Sequence, residues 1–376
     1  MNLTDFDYEL PGELIAQAPL EERDASRMLV LDRCERQWTD SSFKEFPRYL
    51  HPNDVVVINN SRVIPARLLG RREGSGGQVE IFLVREIKGN DWEALVRPGA
   101  RLKQGSRAIF GEGKLIAEIL DAPGVELRHV RFHCEGSFDD VLAEIGSTPL
   151  PPYIKRPSGV SNTDRERYQT VYSKHRGAIA APTAGLHFTA EMLAQVAEIA
   201  SIAEITLHVG YGTFEPVRVA DVGQHSVSSE RFEISESAAE TINEARARGG
   251  RAATTLRWQS RSSSPAPLPR TAIRGGCGRK DGRVIVVGTT TMRALESAAS
   301  EDGRLVAGSG VASLTIKPGY HFRIAGALLT NFHLPQSSLL ILVSAFAGRE
   351  FILRAYEHAV SQRYRFYSYG DCMLIL

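Results

Sequence analysis

The sequence predicts an α/β fold: a mixed-sheet α/β main domain carrying an inserted small antiparallel β-barrel domain. Three observations lead there. Strand–turn–helix alternation runs from Thr148 to the end of the chain. About six short strand-like runs separated by turn residues occupy Arg62 to Ile145. A β-branched run bounded by polar turn formers, Asp54 to Asn60, precedes that block. An all-β block between two α/β stretches reads as one domain inserted into another. The limits so read are 1–61 and 149–376 for the main domain and 62–148 for the barrel.

Each element follows from local pattern. Val55-Val56-Val57-Ile58 is a buried strand by its continuous branched side chains. Alternation marks Val79/Ile81/Leu83 and Trp92/Ala94/Val96 as barrel strands, with Lys114 to Leu120 and Val125 to Cys134 as two more. Gly76-Gly77, Gly89-Asn90, Pro98-Gly99, Gly111 and Pro123-Gly124 divide them. A helix over Phe138 to Ile145 returns the chain. Beyond it, Gly177 to Ala181, Ile202 to Val209, Val284 to Val287 and Phe366 to Leu376 read as strands. Thr189 to Ala200, Met292 to Ala299 and Arg349 to Arg363 read as helices, the first with Thr189 as N-cap. The apolar run Leu339 to Ala347 is too short to span a bilayer and reads as core.

Composition narrows the function classes. The 376 residues carry 45 basic and 44 acidic side chains, so overall charge does not announce a nucleic-acid binder, although a local basic face suffices for one. Cys34, Cys134, Cys277 and Cys372 are far apart, which argues against a zinc site or disulfide framework and for a reducing cytoplasm. Met1 to Asp7 lacks the pattern of a secretory signal. Histidines and acids lack spacings such as His-x-x-x-His, so no metal is expected. Arg251 to Gly282 has no hydrophobic period, is rich in Ser, Pro and Gly, and carries seven basic residues against Asp281 alone. It reads as a disordered surface insertion, with a basic RNA-binding arm as the alternative.

Five segments bear chemistry, each with a plainer reading beside it. In Ala181-Pro182-Thr183-Ala184-Gly185-Leu186-His187-Phe188, small residues admit a ligand close to the backbone and His187 is a proton carrier; a tight turn with a satisfied histidine explains it equally. His208 ends a strand before Gly210-Tyr211-Gly212-Thr213-Phe214-Glu215, where ligands of open α/β sheets gather, or where a glycine-rich loop simply turns. Gly288-Thr289-Thr290-Thr291-Met292-Arg293 either caps a helix or holds a carboxylate or ribose; with no Walker lysine, triphosphate hydrolysis has no support. Asn331 and His333 sit before an apolar run as a site lip or a polar turn. Pro151-Pro152-Tyr153-Ile154-Lys155-Arg156-Pro157 is a stiff basic connector that either contacts RNA or links domains.

Taken in order, these segments resemble the S-adenosylmethionine:tRNA ribosyltransferase-isomerase family. The resemblance also rests on Asp5-Phe6-Asp7-Tyr8-Glu9-Leu10-Pro11, on Ile58 to Arg67, on Val96-Arg97-Pro98-Gly99, on Arg167 to Tyr172 and on Arg365 to Asp371. It spans nearly the whole chain outside Arg251 to Gly282. It implies that S-adenosylmethionine is a ribosyl donor, a substrate with no true cofactor beside it, and that the acceptor is 7-aminomethyl-7-deazaguanine in tRNA. The implied product is epoxyqueuosine-tRNA, with adenine and methionine released, from an enzyme expected to be a cytoplasmic monomer. Such chemistry needs proton carriers, so His187, His208, His333 and Glu215 are the catalytic candidates. Pro182, Thr183, Gly185, Gly210, Gly212, Thr213, Gly288, Thr289, Thr290, Arg293 and Asn331 are the expected substrate contacts. Arg62, Arg67, Arg97, Tyr153, Lys155 and Arg156 are the expected tRNA contacts. The family shows His-x-Met-His-Ser-Glu where this chain has His225 to Glu230, with Ser228 in place of the second histidine.

Two rivals make different demands. A methyltransferase requires a glycine-rich loop after its first strand and an acid ending its second, and neither is evident. A noncatalytic RNA-binding barrel does not need polar clusters repeated at strand ends in the larger domain.

Overall fold

The computed structural model describes residues 1–99, 102–121, 126–157, 159–254 and 282–376. The chain opens with β1 (Arg27–Asp32), β2 (Gln37–Ser42), β3 (Val55–Asn59) and β4 (Ser61–Val63). Next come β5 (Arg67–Arg72), β6 (Gln78–Lys88), β7 (Asp91–Arg97), β8 (Arg107–Phe110), β9 (Leu115–Ile119) and β10 (Arg128–Cys134), then α1 (Phe138–Ile145) and α2 (Asn162–Arg167). There follow β11 (His175–Ala178), α3 (Ala190–Ile199), β12 (Ser201–Leu207), β13 (Glu230–Ile234) and α4 (Glu236–Thr254). Beyond these lie β14 (Val284–Val287), α5 (Thr289–Ser297), β15 (Gly308–Ala312), β16 (Ala327–Asn331), α6 (Ser338–Ala347), α7 (Arg349–Ser361) and β17 (Cys372–Ile375).

The described residues form a nine-stranded mixed sheet, ordered β15-β13-β12-β3-β14-β16-β17-β1-β2. Its centre, β12-β3-β14-β16, is parallel. Parallel strands are covered on both faces and so read as continuous apolar runs, which is why Val55 to Ile58 and Val284 to Val287 are wholly buried. Alternate residues divide between two cores. Val55 and Val57 pack in the cluster holding Ile242, Met292, Leu340 and Phe351, whereas Val56 and Ile58 pack with Phe43, Phe188 and Met192.

The strands β5 to β10 close into a barrel in the order β10-β7-β6-β5-β8-β9, and every pairing is antiparallel. Period-two alternation does the work: Val79, Ile81, Leu83, Trp92, Ala94 and Val96 point into one barrel core. A six-strand closure leaves no free edge. The chain enters the barrel from β3 and β4 at the carboxyl end of the parallel sheet, so the barrel stands over the strand ends where a site forms.

Several sequence expectations are corrected. The strand expected over Gly177 to Ala181 is β11, displaced toward the N-terminus, because Gly177 adopts φ +135° and the register breaks between Arg176 and Ala178. The strand expected over Phe366 to Leu376 shortens to β17; Tyr367 has φ +75° and Gly370 N–H bonds back to its carbonyl in a tight turn. The helix expected from Met292 starts at Thr289. α4 continues to Thr254, so Arg251 to Thr254 are helical, and residues 255–281 of the expected insertion lie outside the described residues.

Candidate functional site

The carboxyl ends of β14 and β16 build a narrow crevice of about 50 Å³. Gly288, at φ +90°, turns the chain from β14 into α5, a conformation that excludes most L side chains. Thr291 Oγ1 donates to Val287 O at 2.7 Å and fastens that turn, while Thr289 and Thr290 line the crevice beside Pro182, Thr183, Asn331 and His333. Asn331 Nδ2 donates to the carbonyl of Tyr367 (2.8 Å), which orients its Oδ1 to accept from His187 Nε2 at 3.2 Å. His187 Nδ1 is therefore the acceptor for the Ser26 hydroxyl at 2.9 Å, an assignment made from the network. Burial lowers the pKa of His187 to about 4 and that of His333 to about 3. Both are neutral at pH 7, and His333 Nε2 lies 3.1 Å from Thr330 Oγ1.

A wider cavity of about 600 Å³ opens between barrel and sheet. Val84, Trp92 and Glu93 line it from the barrel; Arg176, His208, Gly210, Gly212, Glu215 and Ser228 line it from the main domain. His208 is half-buried at the end of β12, and its buried Nδ1 has no hydrogen-bond partner. Burial, then the charges of His175 and Arg231, lower its pKa. The ring is held against Gly177, where a Cβ would lie 2.8 Å from Nδ1. Glu215 Oε2 accepts from Ser228 Oγ at 3.0 Å. A third cavity, about 180 Å³, shares Glu215 and Ser228 with the wide one and Thr290 and Tyr367 with the crevice. The three are neighbours with shared walls.

Arg293 sits at that junction in a different role from the carboxylate contact expected of it. Its Nη1 donates to Glu230 Oε2 at 2.7 Å, and its other nitrogens donate to the carbonyls of Ser228, Ala312 and Leu314. Glu230 Oε1 accepts from Gly210 N–H at 2.9 Å. This buried pair staples α5 to the Gly210 turn. Gly185 also departs from expectation: it faces Tyr172 and Thr170 in the interior, where a Cβ would lie 2.0 Å from Tyr172 Oη, and it lines none of these cavities. Of Thr213 only the backbone is described.

The basic residues group separately. Arg67, Arg97, Lys155 and Arg156 line a cavity of about 520 Å³ with Phe82, Leu95 and Tyr211, the last two shared with the wide cavity. Arg67 pairs with Glu80 and Arg156 with Asp164. Among the described residues Arg97 and Lys155 have no acidic partner. Tyr153 is engaged elsewhere. Its hydroxyl bonds to Ser368, its ring meets Tyr367 edge-on at 3.9 Å, and it lines the crevice. Arg62 lies in a fifth cavity. Glu230, Thr330, Tyr367 and Ser368 shape the site without having been assigned a part in it from sequence. The only local signal was that Glu230, Tyr367 and Ser368 fall in segments shared with the resembled family.

Among the described residues no group of three or more His, Cys, Asp or Glu is placed to hold a metal ion, and no helix is long and apolar enough to cross a membrane.

Comparison with known proteins adds the following. The family model described as "Queuosine biosynthesis protein" matches residues 3–257 and 273–375. A protein of Pelotomaculum thermopropionicum named S-adenosylmethionine:tRNA ribosyltransferase-isomerase is 47% identical over 377 residues, with both chains covered completely. A Clostridioides difficile protein of the same name is 44% identical, again over 100% of both. The crystal structure of an S-adenosylmethionine tRNA ribosyltransferase from Thermotoga maritima is 33% identical, with a TM-score of 0.51, covering 99% of this chain and 100% of that one.

Proposed function

Because the chain belongs to the queuosine biosynthesis protein family, we propose that it is an S-adenosylmethionine:tRNA ribosyltransferase-isomerase acting on 7-aminomethyl-7-deazaguanine in tRNA. The observation that carries this reading is the wide cavity between barrel and sheet. His208 and Glu215 both line this chamber, and it shares walls, through a smaller cavity, with a crevice of neutral hydroxyl and amide groups. The crevice alone is too small for a nucleoside-sized donor, whereas the wide cavity is in the ordinary range of ligand sites.

The reaction follows from the donor's chemistry. The sulfonium acidifies the adjacent ribosyl carbon, and a base removes that proton. Adenine leaves and takes up a proton. The acceptor amine bonds to the sugar, and the epoxide closes as methionine departs. His208 is the group whose position suits the base, being neutral at pH 7 and lining the chamber; with Nδ1 buried against Gly177, its other ring nitrogen, Nε2, is the one that would take the proton. Glu215 is the second proton carrier. His187 acts through Asn331 as a positioning residue, and His333 presents a neutral ring to the crevice. Pro182, Thr183, Gly288, Thr289, Thr290 and Asn331 would contact the donor from the crevice, and Gly210 and Gly212 from the chamber. Arg67, Arg97, Lys155 and Arg156 would hold the tRNA backbone. The enzyme works as a cytoplasmic monomer with domain limits 1–61 with 149–376 and 62–148.

The test is incubation of the purified protein with S-adenosylmethionine and tRNA carrying the aminomethyl precursor. Release of adenine, with a mass gain on the tRNA equal to the ribosyl-derived group, is expected. Release of S-adenosylhomocysteine with methyl addition would overturn the reading.

A further inference from the structure

The fifth cavity, about 500 Å³, lies beside the wide one and shares Arg176 with it. Arg23, Arg62 and Arg165 also line it, with Glu166 as the one acidic side chain. Arg62 in β4 and Arg176 in β11 are direct partners in a parallel pairing, so two like charges stand side by side on one face. That arrangement costs stability unless an anion answers it.

Little in the protein cancels these charges. Arg176 reaches the exposed Asp139 at 3.3 Å. Arg165 donates to the carbonyl of Ala143, and Arg23 donates to the carbonyls of Leu186 and Glu166, which are neutral acceptors. Arg62 is exposed and has no ion pair among the described residues. Burial and the nearby Arg167 lower the pKa of Arg23, as expected where cations crowd. Thr148, Gln169, Thr170 and Ser173 complete the polar part of the same wall. A cavity rich in donors and poor in acceptors is built for a ligand with several acceptor oxygens, and guanidinium forks suit phosphate.

We propose that this cavity binds a backbone phosphodiester of the RNA strand whose base enters the wide cavity. The inference rests on tRNA being the substrate. Arg176, lying in the wall of both cavities, links the base chamber to the phosphate seat. The groove of Arg97 and Lys155 borders the chamber through Leu95 and Tyr211. The strand would therefore be held on both sides of the reacting nucleotide.

The test measures tRNA binding by fluorescence anisotropy for wild type, Arg62→Ala, Arg165→Ala, the double variant and Arg62→Lys, between about 50 and 200 mM salt. The double variant should raise the Kd about tenfold at the low end. It should make the slope of log affinity against log salt shallower by about 0.7, the loss of one neutralised phosphate on a single strand. Arg62→Lys should keep the slope. Thermal melts check that each variant is folded. An unchanged Kd and slope in the folded double variant overturn the proposal. If inorganic phosphate then raised the Tm of wild type and not of the double variant, the site would belong to a free anion. Failure of the ribosyl-transfer reading is separable, because it appears as absent adenine release by wild type, whereas this experiment reads binding directly.

Discussion

In the crevice beyond β14 and β16, His187 has both ring nitrogens engaged and His333 is held beside Thr330. In the chamber under the barrel, His208 keeps a ring nitrogen unpartnered, and Glu215 meets a single serine hydroxyl. The crevice histidines are buried deeply enough to stay neutral far into acid, so their value lies in fixing Asn331 and Thr330. The chamber histidine is half-exposed and less constrained, which is the condition for changing protonation during turnover. Full burial with satisfied hydrogen bonds suits a positioner; partial burial in a chamber wall suits a proton carrier.

The strongest way to break this contrast is at the staple joining the two regions. Arg293→Met leaves Glu230 buried without its cation, and should cost about 3–5 kcal/mol in chemical denaturation. A loss below about 1 kcal/mol would show that the two walls are held by other contacts.

Acid stability tests the crevice side. The folded pKa values of His187 and His333, about 4 and about 3, lie below the ordinary value of 6.5. On acidification the unfolded chain takes up these protons first. Stability is therefore fully present above about pH 6.5 and falls as pH drops through 4 and 3, by on the order of 3 kcal/mol for each histidine. Urea midpoints measured from pH 7 to 4 should decline, and His187→Gln should flatten the decline. An equal slope in that variant contradicts the assignment.

A smaller effect sharpens the chamber side. Gly177→Ala places a methyl within contact of His208 at a backbone angle that alanine resists. A stability loss of about 1–3 kcal/mol is expected. The adenine-release rate should fall with it, because the imidazole is pushed aside. A full rate in this variant would mean the ring position is unimportant.

Much of this architecture was legible locally. The barrel announced itself because Val79/Ile81/Leu83 and Trp92/Ala94/Val96 alternate, and alternation needs no knowledge of distant partners. The crevice was legible as strand-end turns: Pro182, Thr183, Gly288 to Thr290 and Asn331 do line one space. What was not legible depends on residues far apart in the chain. Arg293 looked like a free cation until Glu230, sixty-three residues earlier, was seen against it. His187 looked like a base until Ser26 and Asn331 closed on its ring. Tyr153 looked like a tRNA contact until Tyr367 met it. The strands β1 and β2 were missed as well. β1 takes one edge from β17 at the far end of the chain, and β2 is largely exposed, without a clear apolar alternation.

The most direct measurement is the pH dependence of single-turnover adenine release for wild type, His208→Gln and His187→Gln. The account predicts that the wild-type rate falls on the acid side as the chamber imidazole protonates, with a midpoint below the ordinary histidine value of 6.5. That limb should vanish, with a rate loss of about 10²–10⁴, in His208→Gln and persist in His187→Gln. Loss of the limb in His187→Gln, with the limb intact in His208→Gln, would contradict it.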